Sequence, residues 1–183
     1  KLLAIGNAGW GGTIMYTGLM DGMRRGYATS STDTGHQGSS GEFALGHPEK
    51  LVDFSYRAVH EMTVAAKSAV SAFYGRAPRH AYFTGCSTGG GQALKAAQRF
   101  PNDFDGIVAG DPGNFWSHQL VQSIWVYQAA HRTPESPLTA DKLKLLHAAV
   151  LANCDAKDGL RDGLLANPTT CRFDPGVLQC PGV

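Results

Sequence analysis

The sequence predicts an α/β fold, a largely parallel sheet whose strands are joined through helices. Three observations carry this expectation. Short apolar runs at residues 2–6, 80–84 and 106–110 have strand length. A long stretch with helical periodicity separates the first two runs, and a shorter one separates the last two. Glycine-rich turns follow the strands at residues 7–12 and 85–91. Strand–helix–strand units of this length close most readily as parallel pairs with a covering crossover.

The elements follow in order. Leu2-Leu3-Ala4-Ile5-Gly6 is the first strand, and it runs into the loop Asn7-Ala8-Gly9-Trp10-Gly11-Gly12. A small helix is expected over 13–24, and Gly26-Tyr27-Ala28-Thr29-Ser30-Ser31 reads as a second strand closed by Thr32-Asp33-Thr34-Gly35-His36. Residues 37–48 form a polar loop. The clearest helix spans about 52–74, where Leu51, Phe54, Ala58, Met62, Ala65, Ala69 and Phe73 recur at steps of three and four and are expected to line one face. Gly75 and Pro78 stop it. After the third strand and the glycine-rich turn, a helix of roughly 92–100 ends at Pro101, and 106–110 is the fourth strand. From about Asp111 the pattern changes to tryptophan, proline and polar residues. A helix over 139–151 follows, with Thr139 as its N-cap. A boundary is expected near 112–117, giving a core over 1–115 and the start of an inserted unit over 116–183.

Bulk properties narrow the function. The 183 residues suffice for one domain with a real core, or one domain and the start of another. A net charge of +1 gives no reason to expect nucleic acid or an anionic membrane as partner, and no apolar run reaches the ~20 residues that span a bilayer. Of the four cysteines, Cys154, Cys171 and Cys180 lie in a late segment rich in Asp, Gly and Pro, which points to disulfides and an oxidising, secreted or periplasmic setting.

The chemistry centres on Gly85-Cys86-Ser87-Thr88-Gly89, a G-x-S-x-G turn between a predicted strand and a predicted helix. Such a turn holds a serine in a strained backbone and exposes its hydroxyl at the edge of the sheet. The amide of Thr88, at a helix N-terminus, is placed to donate to a developing oxyanion. A second donor is expected from the loop after an earlier strand. Gly9 is the first choice, with Trp10 and Gly11 as neighbouring alternatives.

This turn continues into Gly90, and downstream stands Gln98-Arg99-Phe100-Pro101-Asn102-Asp103-Phe104-Asp105-Gly106-Ile107-Val108-Ala109-Gly110. Together they closely resemble the tannase and feruloyl esterase family, which also includes the esterase of mono(hydroxyethyl) terephthalate. Thr32-Asp33-Thr34-Gly35-His36 and Asp53-Phe54-Ser55-Tyr56-Arg57-Ala58-Val59-His60 resemble it too, so the similarity spans nearly the whole chain. The chain departs from the family pattern at Asp111, where alanine is common, and at Gly91, where arginine is common.

The resemblance implies an α/β-hydrolase core, a lid inserted after the strand near Gly110, and a Ser-Asp-His triad with Ser87 as nucleophile. It implies that Cys86 bonds a cysteine beside the triad histidine. It further implies a structural calcium in the lid, bound by Asp155, Asp158 and Asp162 with the carbonyls of Leu160 and Leu164. These residues belong to Cys154-Asp155-Ala156-Lys157-Asp158-Gly159-Leu160-Arg161-Asp162-Gly163-Leu164, which supplies the hard oxygen ligands calcium takes, although it is not an EF-hand. Cys154 and Cys171 flank this loop and are expected to pair, a closure worth about 3 kcal/mol in the chain-entropy picture.

None of the histidines after Ser87, namely His118, His131 and His147, has the setting expected of the triad base, and Cys86 and Cys180 are left without partners. The stretch is therefore expected to be part of a longer chain, and to lack efficient esterase activity alone. The expected activity of the parent is hydrolysis of small aromatic-acid esters, feruloyl, hydroxycinnamoyl or galloyl, borne on a plant polysaccharide or polyphenol. The competing readings are an acyltransferase on the same site and a non-catalytic, calcium-dependent binding module.

Overall fold

A computed structural model describes residues 1–179. The chain divides into two compact units, Lys1–Trp116 and a second that begins at Ser117.

The first unit holds a four-stranded, wholly parallel sheet. Its strands are β1 (Leu2–Ile5), β2 (Ala28–Ser30), β3 (Ala81–Cys86) and β4 (Gly106–Gly110), in spatial order β2-β1-β3-β4. The register sets Leu2 beside Ala81 and Ala4 beside Phe83, so alternate residues of neighbouring strands share a face. On that face Leu2, Ala4, Ala81 and Phe83 are buried beneath Val59, Ala93 and Ala96, with Phe104 closing the cluster against Phe83 at 5.3 Å between ring centroids. Burying Phe83 completely contributes about 3 kcal/mol. The opposite face of β1 and β2 carries α1 (Tyr16–Arg24), whose Gly18 and Gly22 sit against Ile5, Leu3 and Thr29.

The long helical run is α2 (Pro48–Val52), a wide π-turn over Asp53–Arg57, and α3 (Ala58–Tyr74), which ends at Gly75 in the left-handed conformation, φ 68°. The run was expected, but its buried face is not the one expected. Leu51, Ala65, Ala69 and Phe73 are exposed, while Val59 and Thr63 are buried and Met62, Ala66 and Val70 pack on the core. The π-turn explains the shift. One extra residue in a turn rotates everything beyond it by about 100°, which moves the core stripe one residue along the chain.

The last helix of the unit, α4 (Thr88–Arg99), begins four residues before the expected start. Its first turn contains Gly89, Gly90 and Gly91, residues of poor helix propensity whose presence reflects close packing rather than a loop. Between α4 and β4, Asp105 pins the start of β3. Its carboxylate accepts the Ala81 N–H at 2.7 Å, and its own N–H donates to the Ala81 carbonyl at 2.7 Å.

In the second unit, α6 (Ala140–Cys154) is capped by the Thr139 hydroxyl, which accepts from the Lys142 N–H. The helix α5 (Trp116–Ala130), which starts on the last residue of the first unit, was not anticipated. Leu120, Val121, Ile124, Trp125, Val126 and Tyr127 place apolar groups around its whole circumference, so no one-sided stripe marks it in the sequence. Cys154 is buried and joined to Cys171, the pairing expected. The expectations for Cys180 lie outside the described residues.

Candidate active site

The chain runs from β1 to β2 on one side, then returns past β1 to β3 and β4 on the other. Strand order thus reverses between β1 and β3. In open parallel sheets a crevice forms outside the carboxyl ends of the strands at such a point. The two loops that leave those ends are residues 6–12 and the turn at Ser87.

Ser87 alone separates the last residue of β3 from the first residue of α4. Its backbone has φ 59° and ψ −119°, a conformation that costs a non-glycine residue about 1–3 kcal/mol. Three backbone hydrogen bonds hold it there. The Ser87 N–H donates to the Gly110 carbonyl at 3.0 Å, and the Ser87 carbonyl accepts from Gly91 N–H at 3.0 Å and Gly113 N–H at 3.2 Å. Glycines make the packing possible. A Cβ on Gly85 would run into the Gly89 carbonyl, one on Gly90 into the Gly110 carbonyl, and one on Gly89 would lie 2.7 Å from the Asn7 carbonyl oxygen.

Ser87 stands where a helix N-cap stands, and serine there commonly caps with its hydroxyl. It makes no such bond. The residue is exposed, so its hydroxyl faces solvent at the carboxyl end of β3. Thr88 follows, with its N–H among the orphan donors of the first helical turn, where the helix dipole favours negative charge.

The loop after β1 is held against α4 by polar contacts that the sequence reading did not single out. Asn7 is 2 % exposed. Its N–H donates to Gln92 Oε1 at 2.9 Å, and its Oδ1 accepts from Gln92 Nε2 at 3.0 Å. Its Nδ2 reaches the carbonyls of Gly11, Thr13 and Thr32 at 2.7–2.9 Å. Buried amides rarely go unpaired, so an Asn that follows a strand and precedes a glycine-rich loop was the available signal. Further along, the Thr88 hydroxyl donates to the Gly9 carbonyl at 2.6 Å. Of the three amides considered for the second donor, that of Gly11 is engaged with the Ala8 carbonyl at 3.1 Å. The Trp10 N–H shares a trans peptide with the Gly9 carbonyl and so points away from Thr88. The Gly9 N–H has no protein partner among the described residues.

Aromatic side chains stand beside these loops. Trp10 lies 6.3 Å from Trp116 and 6.0 Å from Phe54, ring centroid to centroid. The Trp116 indole nitrogen and the Gly113 carbonyl fill the space a side chain on Gly91 would need, at 3.5 and 2.8 Å from its Cβ. Asp111, the other departure from the family pattern, follows β4 in a left-handed conformation, φ 37°. Cys86 is exposed and free.

Two histidines of the first unit have structural contacts. His60 Nδ1 is 2.8 Å from Asp103 and stacks on Phe100, and His36 stacks on Phe43. No hydrogen bond joins the Ser87 hydroxyl to a histidine among the described residues.

In the second unit, Asp155, Asp158 and Asp162 lie on the loop closed by the disulfide. Gly159 (φ 98°) and Gly163 (φ 81°) make its sharp bends. Asp155 accepts the Gly163 N–H at 3.0 Å, and Asp162 accepts that of Leu164 at 3.0 Å. Asp158 accepts from Ala166 and Leu160, which hold its carboxyl below the usual range and keep it ionised. The donor chemistry suits a hard cation. Among the described residues, however, no three His, Cys, Asp or Glu side chains converge on one metal centre.

The family model described as tannase and feruloyl esterase matches residues 1–183. An esterase of Xanthomonas campestris pv. campestris is 46% identical over 182 residues, covering 98% of this chain and 32% of that protein. A probable feruloyl esterase B-1 of Aspergillus fumigatus is 37% identical, covering 98% and 34%. Among solved structures, feruloyl esterase B from Aspergillus oryzae superimposes with a TM-score of 0.80 at 34% identity, over 99% of this chain and 36% of that one. Tannin acyl hydrolase from Aspergillus niger gives 0.69 at 27% identity, over 93% and 33%. The chain thus spans about a third of the length of the curated relatives it matches.

Proposed function

The chain belongs to the tannase and feruloyl esterase family, and we propose that it carries the nucleophile and oxyanion loops of a carboxylic ester hydrolase that works through a serine acyl-enzyme. The observation that carries this reading is the uncapped, exposed hydroxyl of Ser87, held in a strained turn between β3 and α4.

Ser87 Oγ attacks the ester carbonyl while a histidine base, as the family resemblance implies, takes its proton. Negative charge gathers on the former carbonyl oxygen. The N–H groups of Thr88 and Gly9 receive it. Collapse expels the alcohol, which leaves with the proton held by the base. Water then attacks the acyl-enzyme by the reverse sequence of proton transfers and releases the acid. The rings of Trp10 and Trp116 beside the turn favour an aromatic acyl group, feruloyl, hydroxycinnamoyl or galloyl, on a plant polysaccharide or polyphenol. The disulfide supports a secreted or periplasmic protein, and no helix among the described residues is long and apolar enough to cross a membrane. A fluorophosphonate should label the full-length protein once, on the peptide containing Ser87. Labelling confined to another serine rejects the assignment.

Calcium is proposed as a structural ion of the second unit, bound by Asp155, Asp158 and Asp162 with the carbonyls of Leu160 and Leu164. Oxygen chemistry and the preset bends support this, while side-chain convergence is left to binding. Chelation should lower Tm, and added calcium should restore it in proportion to the logarithm of its concentration. A Tm indifferent to chelator removes the ion from the account.

A further inference from the structure

We infer that the side chain of Thr88, as distinct from its amide, is a positioning residue that sets where the second oxyanion donor sits. The inference rests on the proposed roles of Ser87 and Gly9. Its ground is how the tip of the loop after β1 is held. At its base the loop is fixed by Asn7 and Gln92, and Trp10 packs on Phe54 and Trp116, but Gly9 between them has no side chain to pack. Gly9 is exposed, and a Cβ built on it would meet nothing within 4 Å. Its backbone, at φ 55°, is free to turn, because glycine occupies either sign of φ with similar ease. Among the described residues, the hydrogen bond that holds Gly9 to the nucleophile turn runs from the Thr88 hydroxyl to the Gly9 carbonyl at 2.6 Å, bridging 79 positions of sequence. Thr88 itself is 6 % exposed, so solvent has little access to compete for that bond.

The peptide geometry makes the bond decisive for the donor. On one side of Gly9 the Ala8 carbonyl turns inward to the Gly11 N–H, which directs the Gly9 N–H of the same trans peptide outward. On the other side Thr88 fixes the Gly9 carbonyl. With both flanking peptide planes held, the free N–H keeps one direction. Releasing the carbonyl lets the Gly9–Trp10 plane rotate, which shifts the downstream Gly11, loosens the Gly11-to-Ala8 bond that holds the Ala8–Gly9 plane, and so lets the donor swing away from the forming oxyanion. The ground-state ester depends on this donor far less than the tetrahedral intermediate does, so the loss should fall on kcat rather than KM.

The test uses the full-length protein with 4-nitrophenyl ferulate as substrate and benzeneboronic acid, which forms a tetrahedral adduct with a serine hydroxyl. Thr88→Val keeps the shape and removes the hydroxyl, Thr88→Ser keeps the hydroxyl, and Ser87→Ala is the reference. Thr88→Val should lose about 10- to 100-fold in kcat with KM within about twofold, and boronate affinity should fall in parallel. Thr88→Ser should recover most of both, and Tm should stay close to wild type in each. If Thr88→Val misfolds, Thr88→Ala carries the same expectation. Unchanged kcat and boronate affinity without the hydroxyl, in a protein that Ser87→Ala inactivates, overturn this inference alone. Turnover that survives Ser87→Ala overturns the nucleophile assignment and this inference with it.

Discussion

Replacing Ser87 with alanine should reduce kcat of the full-length protein by about 10⁴- to 10⁶-fold, leaving only what binding and the oxyanion donors supply. The change removes one oxygen that caps nothing, so α4 should keep its first turn and Tm should hardly move. Alanine keeps a Cβ on the left-handed residue, so the backbone strain remains. Such a combination, a dead enzyme with intact stability, separates a nucleophile from a turn residue. A structural serine would show the reverse pattern, a stability loss of about 1 kcal/mol with turnover retained. The assay therefore pairs steady-state hydrolysis with a melting curve, and the nucleophile assignment fails if the variant retains even a tenth of wild-type kcat.

What the sequence made legible divides along physical lines. The four strands, the turn at Ser87 and the Cys154–Cys171 pair could be read because each depends on local signals, namely short apolar runs, a serine between two glycines, and cysteines that flank one loop. The buried face of α3 could not, because the π-turn at Asp53–Arg57 shifts the phase of the helix without any residue that marks it. Nor could α5, whose apolar residues surround it and leave no period to detect. The brace between Asn7 and Gln92 was hidden for another reason. It joins residues 85 positions apart, and only the packing of β1 against α4 brings them together. Several motif residues that carry the family resemblance are scaffold. Asp105 anchors the start of β3, Asp103 bonds His60, and Phe104 closes the core.

Gly89→Ala should damage both stability and turnover, against the usual sign of that substitution in a helix. Glycine costs a helix interior about 1 kcal/mol relative to alanine, so the change would ordinarily help or be neutral. Here the added methyl would stand 2.7 Å from the Asn7 carbonyl oxygen and 3.1 Å from the Gly6 carbonyl carbon. Both are main-chain atoms at the end of β1, and neither can rotate aside as a side chain would. Relief requires α4 to move away from the loop that carries Gly9, which stretches the bonds from Asn7 to Gln92 and from Thr88 to Gly9. Overpacking of this kind costs about 1–3 kcal/mol. A displacement near 1 Å at a catalytic loop costs about 100-fold in rate. Gly18→Ala in α1 is the matched control for activity, because its tight contact, at 2.8 Å, is with a side-chain methyl of Ile5 and not with the main chain of the loop that carries Gly9. The full-length Gly89→Ala protein should therefore melt earlier and turn over about 100-fold more slowly, with the Gly18→Ala protein close to wild type in kcat. Equal kcat in the two variants would mean that α4 and the end of β1 do not touch, and the oxyanion geometry would have to be rebuilt from another pair of loops.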